Sequence, residues 1–501
     1  MKKDLPVDYH LFFIWLTAFL IRLIGQNQSL WLDEGTTAKV VQEYGFTQII
    51  AKFSPHDFHP PLYYLFMKLW TSIFGLNEIS LRFPSVIFSL LTGLIIYKIC
   101  RLRKTKSDFG EPLWAMVFFL FNPLIIYYSQ EARMYMMATF FLTVSLYYLL
   151  KILNIKYQKS RLPKPEAKGN GGQAKIISPN YSSKFTSDNL LLGLFLSLSL
   201  LTFYGSVFFI AVMLVYLLYK RKYKLLLVIS YWLFGTLMLL SPLFIKQFIN
   251  TRQTLPMVVN WSMVLGKANI KNLLLIPIKF TSGRISWEPK ITYYLISGLW
   301  LMFIIYLIIQ NAKIKRLNDN LKFKNNYFFL YLLICPLFLG FITSFVTPML
   351  QYFRFLYLIP IMCLLLSFGL SRQANLHLVG ATVAIGFFIF SLVYLLNPSF
   401  HREDWKSLAG AIPKNATVYA IHSSMDGIKY YNKNVKIKDL RTFKQEQIRQ
   451  QDNKIIVIPY TAEIYGINYK KTLKEEGLVV KQTKSFRGLT IENWVTNSHK
   501  R

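Results

Sequence analysis

Long apolar runs alternate with short polar segments along most of the chain. Several runs reach the roughly 20 residues that a helix needs to cross the hydrocarbon core of a membrane. The pattern predicts an all-α polytopic membrane protein with about eleven transmembrane helices. The predicted spans are residues 10–26, 80–100, 112–129, 131–151, 189–203, 205–219, 225–245, 291–311, 327–347, 351–371 and 375–396.

Basic residues between the spans predict the orientation in the membrane. They cluster in three short loops, 101–106, 220–224 and 313–324, which the positive-inside rule assigns to the cytoplasm. The N-terminus is then cytoplasmic and the first span is an uncleaved one. Because the number of predicted spans is odd, the C-terminal region is expected outside. We expect a multi-pass protein of the plasma (inner) membrane.

The loop between the first two spans predicts two interfacial helices. Residues 35–54 are moderately polar and compatible with a helix, whereas residues 62–75 are apolar on one face and short for a span. Tyr63, Tyr64 and Trp70 suit the depth of the membrane surface. Both helices are expected at the outer leaflet.

Two further regions differ from the apolar pattern. Residues 152–188 are polar and Lys-rich and contain Gly169-Asn170-Gly171-Gly172, which is typical of a flexible cytoplasmic linker. From residue 398, strand-like runs such as TVYAIH alternate with helix-like runs such as DWKSLAGAI, which predicts a small α/β domain. The predicted organisation is a transmembrane catalytic domain, 1–397, and an extracytoplasmic domain, 398–501.

Composition and charge indicate which kinds of partner to expect. The chain has 501 residues, is 53% hydrophobic and has a formal charge of +34. The charge lies in loops beside membrane spans, so membrane lipids are expected partners and nucleic acid is not. The three cysteines lie in or at the end of apolar runs, so they predict neither a disulfide framework nor a Cys/His metal site.

Acidic residues at the predicted outer surface are the first candidates for chemistry. Asp33 and Glu34 follow the first span, and Glu131 opens the fourth. A carboxylate at the interface can take a proton from a hydroxyl or amine nucleophile, or bind a metal or a head group, or only cap a helix. Glu131 and Tyr135 share a helix face, and Arg133 is placed to reach a phosphate or to pair with an acid.

Basic residues on the outer side are unusual under the positive-inside rule. They are His59, Lys68, Arg82, Arg284 and Arg354. Tyr352 and Arg354 open a span, where a helix N-terminus and the planar guanidinium together suit a lipid phosphate. Snorkelling to the interface is the alternative for each arginine, and Arg82 is expected mainly to anchor its span.

Four stretches carry a resemblance to a known family: WLDEGTTA, HPPLYYLFMKLW, SLRFPSVIFSLLTGLIIY and YSQEARMYMMATFFLTVSLYYL. They cover about residues 30–148, and a fifth, QYFRFLYLIPIMCLLLSFGL, matches more loosely. In order and spacing they resemble the GT-C glycosyltransferases. The similarity is to the branch of the protein O-mannosyltransferases and the bacterial aminoarabinose transferase of lipid A.

The resemblance implies an inverting transfer from a sugar carried on a polyprenyl phosphate to a lipid, protein or glycan acceptor. Asp33 and Glu131 would be the catalytic acids. No cofactor would be obligatory, although a divalent cation such as Mg²⁺ or Mn²⁺ is an option. His59-Pro60 stands where the aminoarabinose branch has a phosphate-binding lysine. The expected substrate-binding residues are Glu34, His59, Tyr63, Arg133, Tyr135, Arg284, Tyr352 and Arg354.

Three other functions fit a chain with many spans. A flippase or transporter of lipid-linked sugars would hold its charges near the midplane or show repeated halves. A polysaccharide polymerase or ligase would have a large outer loop rich in Arg or His. The outer loop of this chain, residues 246–290, is smaller and has few of either. A receptor that only displays residues 398–501 would not need eleven spans.

Overall fold

Helices make up most of the protein, and a small sheet lies near its C-terminus. The computed structural model describes residues 7–102, 110–160, 181–312, 326–370, 375–413, 416–443 and 454–496. The central part of the predicted linker, 161–180, and most of the basic loops 101–106 and 313–324 lie outside these residues.

The helices are bounded as follows: α1 Val7–Leu23, α2 Leu32–Glu43, α3 Phe46–Gln48, α4 Leu62–Phe74, α5 Glu78–Arg101, α6 Gly110–Leu120, α7 Pro123–Ser129, α8 Tyr135–Ser160, α9 Tyr181–Thr202, α10 Ser206–Tyr219, α11 Tyr223–Thr254, α12 Trp261–Leu265, α13 Ile270–Ser282, α14 Lys290–Ala312, α15 Asn326–Thr343, α16 Ile359–Leu370, α17 Leu376–Leu396, α18 Trp405–Gly410, α19 Asp426–Tyr431 and α20 Tyr469–Glu475. A 3₁₀ segment, Tyr352–Leu358, leads directly into α16.

Every predicted span overlaps an apolar helix or helix pair. Among the described residues, six helices are long and apolar enough to cross a membrane, and α6 with α7 makes a seventh if this bent pair is one span. Four further apolar helices are shorter, namely Tyr9–Leu23, Ser187–Thr202, Ser206–Tyr219 and Tyr327–Thr343. The protein is therefore a multi-pass membrane protein, and the count of eleven crossings stays a prediction.

The bend between α6 and α7 has a local cause. Pro123 has no N–H to continue the first helix but is well suited to begin the next. The Asn122 side chain caps that new helix by accepting from the N–H groups of Leu124 and Ile125 at 3.0 and 3.2 Å, and it donates to the Phe280 carbonyl at 2.8 Å. The two helices meet at 57°, which directs α7 toward the turn that carries Glu131.

Helices also form in the two segments predicted to be interfacial. The first is α2, which ends at Glu43 instead of continuing to residue 54; a short α3, a π-helical turn (Ile49–Phe53) and a 3₁₀ turn (Ser54–His56) follow it. The second is α4, which buries Tyr63, Tyr64 and Met67 and exposes Leu69 and Ile73 on another face. This two-sided distribution suits a helix that lies at a surface.

The C-terminal domain is an α/β structure, as the alternating pattern predicts. Its five strands are β1 Thr417–Ala420, β2 Lys436–Asp439, β3 Lys454–Ile458, β4 Leu478–Phe486 and β5 Leu489–Thr496. They form one sheet in the order β2-β1-β3-β5-β4. β1 is parallel to both β2 and β3, whereas β5 is antiparallel to β3 and β4.

Side chains that alternate along β1 give the sheet two buried faces. Val418 and Ala420 pack with Trp405 on the face covered by α18 and α19. Tyr419 packs on the opposite face with Trp494 and the α20 residues. The described residues after α17 thus form a sheet covered by helices, with a core of its own.

This domain is docked on α2, the helix that carries the first acidic pair. The Asp426 carboxylate accepts from the Lys39 ammonium at 2.9 Å and from the Thr36 hydroxyl at 3.1 Å. The backbones of Gly35 and Gly427 approach so closely that a Cβ on Gly35 would lie 2.7 Å from the Gly427 Cα. The contact fixes the start of α2 against the C-terminal domain.

Candidate functional site

The site is built where the first turn of α2 meets the turn between α7 and α8. The Thr37 hydroxyl donates to the Ala132 carbonyl at 3.2 Å, and the Ala132 N–H donates to the Glu34 carboxylate at 2.7 Å. Glu34 also accepts from the Trp31 N–H at 3.2 Å, which caps the start of α2. These bonds bring two acidic segments together that lie far apart in the sequence.

Glu34 is occupied by structural contacts. Its carboxylate accepts from Nε and Nη2, along one edge of the Arg82 guanidinium, at 2.8 and 2.6 Å, and the two side chains are only 1% and 2% exposed. Arg82 also donates to the carbonyls of Gln26, Gln28 and Ser29. Glu34 and Arg82 thus hold the start of α2 against α5, and the assignment of Glu34 to substrate binding stays a prediction.

Asp33, its neighbour in sequence, has the opposite environment. Its side chain is 37% exposed, and one oxygen lies 3.6 Å from the Arg133 guanidinium. Successive helix residues point about 100° apart, which is why one carboxylate is buried and the other is accessible. Of the acidic pair, only Asp33 is placed to meet a substrate.

Arg133 connects Asp33 to a second group of polar side chains. It is 5% exposed, and it donates to the Tyr64 hydroxyl at 3.3 Å. Asp57 lies close by and contacts the His59 ring at 3.3 Å. Burial would raise the pKa of Asp57, but the charges of His59 and Arg133 hold it below its usual value. His59 thus lies at the edge of the site and partners a carboxylate that the sequence analysis did not select.

Glu131 is the buried acid of the site. Its side chain is 4% exposed, and neither carboxylate oxygen has a hydrogen-bond partner among the described residues. The closest charge is the Arg402 guanidinium at 3.6 Å. Burial raises the pKa of Glu131 to about 7, against the opposing charge of Arg402. Glu131 therefore changes charge near neutral pH.

A second arginine, Arg284, also faces Glu131. Arg284 follows Gly283, whose φ of 76° turns the chain after α13, and donates to the Tyr127 hydroxyl. The Lys279 ammonium fixes this turn by donating to the Ile285 carbonyl at 2.8 Å. Arg402 donates to the same Tyr127 hydroxyl at 2.6 Å. Two guanidinium groups thus converge on one tyrosine.

The remaining predicted residues surround these charges. Tyr135 lies in electrostatic range of Asp33, Glu131, Arg133 and Arg354. Tyr352 lies in range of both Arg284 and Arg402. The Tyr63 hydroxyl is buried without a hydrogen-bond partner among the described residues, in range of Glu131 and Arg133.

Four residues of this cluster were missed: Asp57, Tyr127, Tyr128 and Arg402. Tyrosines at the end of a membrane span are typical belt residues, so their position gives no signal of a site. Arg402 follows the last span directly, in His401-Arg402-Glu403-Asp404. Its place at the predicted outer end of a span was the available signal, since basic residues are uncommon there.

The sequence left a divalent cation as an option at this site. Over the described ranges, no group of three His, Cys, Asp or Glu side chains is arranged to hold a metal ion. The adjacency of Asp33 and Glu34 suggested a divalent cation, but the structure turns Glu34 onto Arg82. Asp33 and Glu131 each lie beside a guanidinium group instead.

Comparison with known protein families gives one match. Residues 58–162 match the family model described as dolichyl-phosphate-mannose-protein mannosyltransferase. The chain resembles the O-mannosyltransferase branch of the GT-C glycosyltransferases. The resemblance predicted from the sequence is thereby confirmed, and the matched segment includes His59, Glu131 and Arg133. No curated protein sequence gives a significant match.

Three solved structures illustrate the similarity in three dimensions. ArnT from Cupriavidus metallidurans in the apo state is 12% identical with a TM-score of 0.46, over 96% of this chain and 97% of that one. AglB from Archaeoglobus fulgidus, an archaeal oligosaccharyltransferase, is 12% identical with a TM-score of 0.46, and the match covers 84% of this chain and 63% of that one. The S. cerevisiae Pmt1–Pmt2 protein O-mannosyltransferase complex is 16% identical with a TM-score of 0.32, and the match covers 50% of this chain and 34% of that one.

Proposed function

We propose that the chain is an inverting membrane glycosyltransferase that moves a sugar from a polyprenyl-phosphate donor to an acceptor at the outer face of the membrane. In this proposal the N-terminus is cytoplasmic, and the C-terminal domain and the site are extracytoplasmic. The family match, whose description names a dolichyl-phosphate-linked sugar, supports a donor of this class.

One observation carries the proposal: an accessible carboxylate and a buried carboxylate lie within electrostatic range of the same guanidinium, that of Arg133, and two further arginines lie beside the buried one. Asp33 lies in the first turn of α2 and Glu131 in the turn between α7 and α8, and Arg133 interacts electrostatically with both. Arg284 and Arg402 flank Glu131. A polyprenyl-phosphate sugar presents one anionic group and one reactive carbon, which is the combination that such a site can bind.

Asp33 is the proposed general base. As the acceptor oxygen or nitrogen attacks the sugar carbon, its proton passes to the Asp33 carboxylate, and the bond from that carbon to the phosphate oxygen breaks. In-line attack inverts the configuration at the carbon. A base positioned in this way accelerates a reaction typically by ~10²–10⁴-fold. The 37% exposure of Asp33 leaves it accessible to an acceptor.

The leaving group is a phosphate that departs as an anion and takes no proton. Its developing charge needs fixed positive groups instead of a general acid. Arg133 and Arg284 are candidates for this role, because both are mostly buried and their side chains are held by tyrosine hydroxyls. Glu131 would orient the acceptor or bind hydroxyls of the sugar.

A transporter fits these positions less well. The candidate charges lie between the helices and the C-terminal domain, not in the middle of the spans. Arg22 lies inside α1, but its guanidinium is bonded to Ser89, Ala18 and Leu120 and has a structural role. A polymerase or ligase would need a diphosphate-linked donor and a larger basic loop than residues 246–290 provide.

The test is transfer by purified full-length protein with a panel of polyprenyl-phosphate sugars. Asp33→Asn should lower the turnover by about 10²–10⁴-fold while the protein still inserts and folds. Glu43→Gln is the matched control, because it removes an exposed carboxylate from the same helix. Near-full turnover of Asp33→Asn would remove this residue from the mechanism. Absence of transfer from every donor by the unaltered protein would overturn the proposal itself.

A further inference from the structure

The segment between the last membrane helix and the C-terminal domain returns to the acidic site. It begins after α17 and runs through His401 to Asp404, which caps α18 by accepting from the Ser407 N–H at 3.0 Å. Between these two residues, Arg402 extends toward the membrane helices. This segment lies outside the stretch that matches the family model.

Arg402 contacts three separate elements of the site. Its Nε donates to the Tyr127 hydroxyl on α7 at 2.6 Å. Its guanidinium lies 3.7 Å from the ring centroid of Trp31, two residues before Asp33. A terminal nitrogen lies 3.6 Å from the Glu131 carboxylate. One side chain thereby links the elements that carry both candidate acids.

The C-terminal domain fixes the backbone on both sides of the Arg402 side chain. The Arg487 side chain, in the turn between β4 and β5, donates to the Arg402 carbonyl at 2.6 Å. The Asp404 N–H donates to the Arg487 carbonyl at 2.9 Å. Because this turn belongs to the sheet, the position of Arg402 depends on the folded domain.

We propose that Arg402 is a positioning residue of the transfer site, supplied from the C-terminal side, which holds the Glu131 carboxylate in its charged and oriented form. The membrane helices alone then form an incomplete site, and the C-terminal domain completes it. This inference rests on the proposed function, since it assigns Glu131 a role in that reaction.

The charges around Glu131 show why Arg402 matters most among them. The cations facing Glu131 are Arg402, Arg284 and Arg133, and Glu34 opposes them. The phenols in electrostatic range are Tyr63, Tyr127, Tyr128, Tyr135 and Tyr394. Among the cations, Arg402 has the largest effect on the pKa of Glu131, and it lowers that pKa.

Removal of Arg402 should therefore raise the pKa of Glu131 above 7. An opposite charge at this distance lowers the pKa of a carboxylate by roughly 1–3 units. With a pKa of about 7, Glu131 is half ionised at neutral pH. A rise of about one to two units leaves about 5-fold to 50-fold less carboxylate at that pH.

The experiment compares Arg402→Gln and Arg402→Lys with the unaltered full-length protein in lipid nanodiscs. Initial rates of transfer from a polyprenyl-phosphate sugar are measured from acidic to alkaline pH. At neutral pH, Arg402→Gln should transfer sugar about 5-fold to 50-fold more slowly than the unaltered protein. The acidic limb of its pH–rate profile should move to higher pH. Arg402→Lys should recover most of the lost rate. The control Arg441→Gln removes an arginine from the surface of the same domain, where it pairs with Asp439.

Infrared titration separates this inference from the proposed function. The protonated carboxyl band of Glu131 is isolated by difference from Glu131→Gln, so no turnover is needed. Its midpoint should lie near 7 in the unaltered protein and higher in Arg402→Gln. An unchanged midpoint, or an equal loss of rate at every pH, would overturn the role of Arg402. Failure of the unaltered protein to transfer any sugar would instead refute the proposed function.

Discussion

The Glu34–Arg82 pair is the contact whose loss should have the largest structural effect. Both side chains are at most 2% exposed, and they meet through two hydrogen bonds of 2.8 and 2.6 Å. Glu34 accepts two further N–H groups, from Ala132 and Trp31. Glu34→Gln keeps the size of the side chain, removes the charge and leaves one oxygen for four donors.

The expected destabilisation follows from the charge that is left behind. Breaking a buried ion pair by removing one partner destabilises a protein by about 3–5 kcal/mol. Arg82 keeps three carbonyl acceptors, of Gln26, Gln28 and Ser29, so Glu34→Gln should lie near the lower end. Glu34→Leu/Arg82→Leu removes both charges and should recover most of the stability lost by either single leucine variant.

The assay is the free energy of unfolding of the purified protein in mixed micelles, measured with increasing denaturant. Glu43→Gln, on the same helix but exposed, is the control and should change stability by no more than about 0.5 kcal/mol. A loss below about 1 kcal/mol for Glu34→Gln would show that the pair is solvated in the membrane protein. Unchanged stability with lost donor affinity would support the assignment of Glu34 to substrate binding.

Two other predictions concern the docked domain and metal ions. Gly35→Ala places a methyl group 2.7 Å from the Gly427 Cα and should destabilise the contact by about 1–3 kcal/mol. Faster proteolytic release of the C-terminal domain and slower transfer would show this loss. Unchanged resistance to the protease would contradict the prediction. Gly45→Ala is the control, since its nearest atom is the Gln48 Oε1 at 4.0 Å. Transfer should persist after dialysis against EDTA, because Asp33 and Glu131 each face an arginine; a loss restored by Mg²⁺ or Mn²⁺ would refute this.

Several features of the site follow from local sequence. Asp33 follows the first apolar run, and Glu131 follows the third at the same predicted side of the membrane. Hydropathy and basic loops therefore place both acids at one surface before any tertiary contact is known. Arg284, Arg354 and Tyr352 were found in the same way, by their place at the ends of apolar runs.

Other assignments needed the distances between remote residues. Asp33 and Glu34 are equivalent by position in the sequence, yet Arg82 pairs with Glu34 alone. Arg402 and Tyr127 are 275 residues apart, and no local pattern indicates that they meet. Asp57 precedes His59 by two residues, and only its contacts with His59 and Arg133 place it in the site.

The sequence by itself determined the membrane class, the approximate spans, the α/β character of the C-terminal region and the two acids at one surface. These depend on the number and period of apolar residues, which local physical chemistry sets. The tertiary structure decided which carboxylate is accessible, which is paired, and that the C-terminal domain reaches the site through Arg402. Those outcomes depend on which helix faces pack together, and packing is determined by the whole chain.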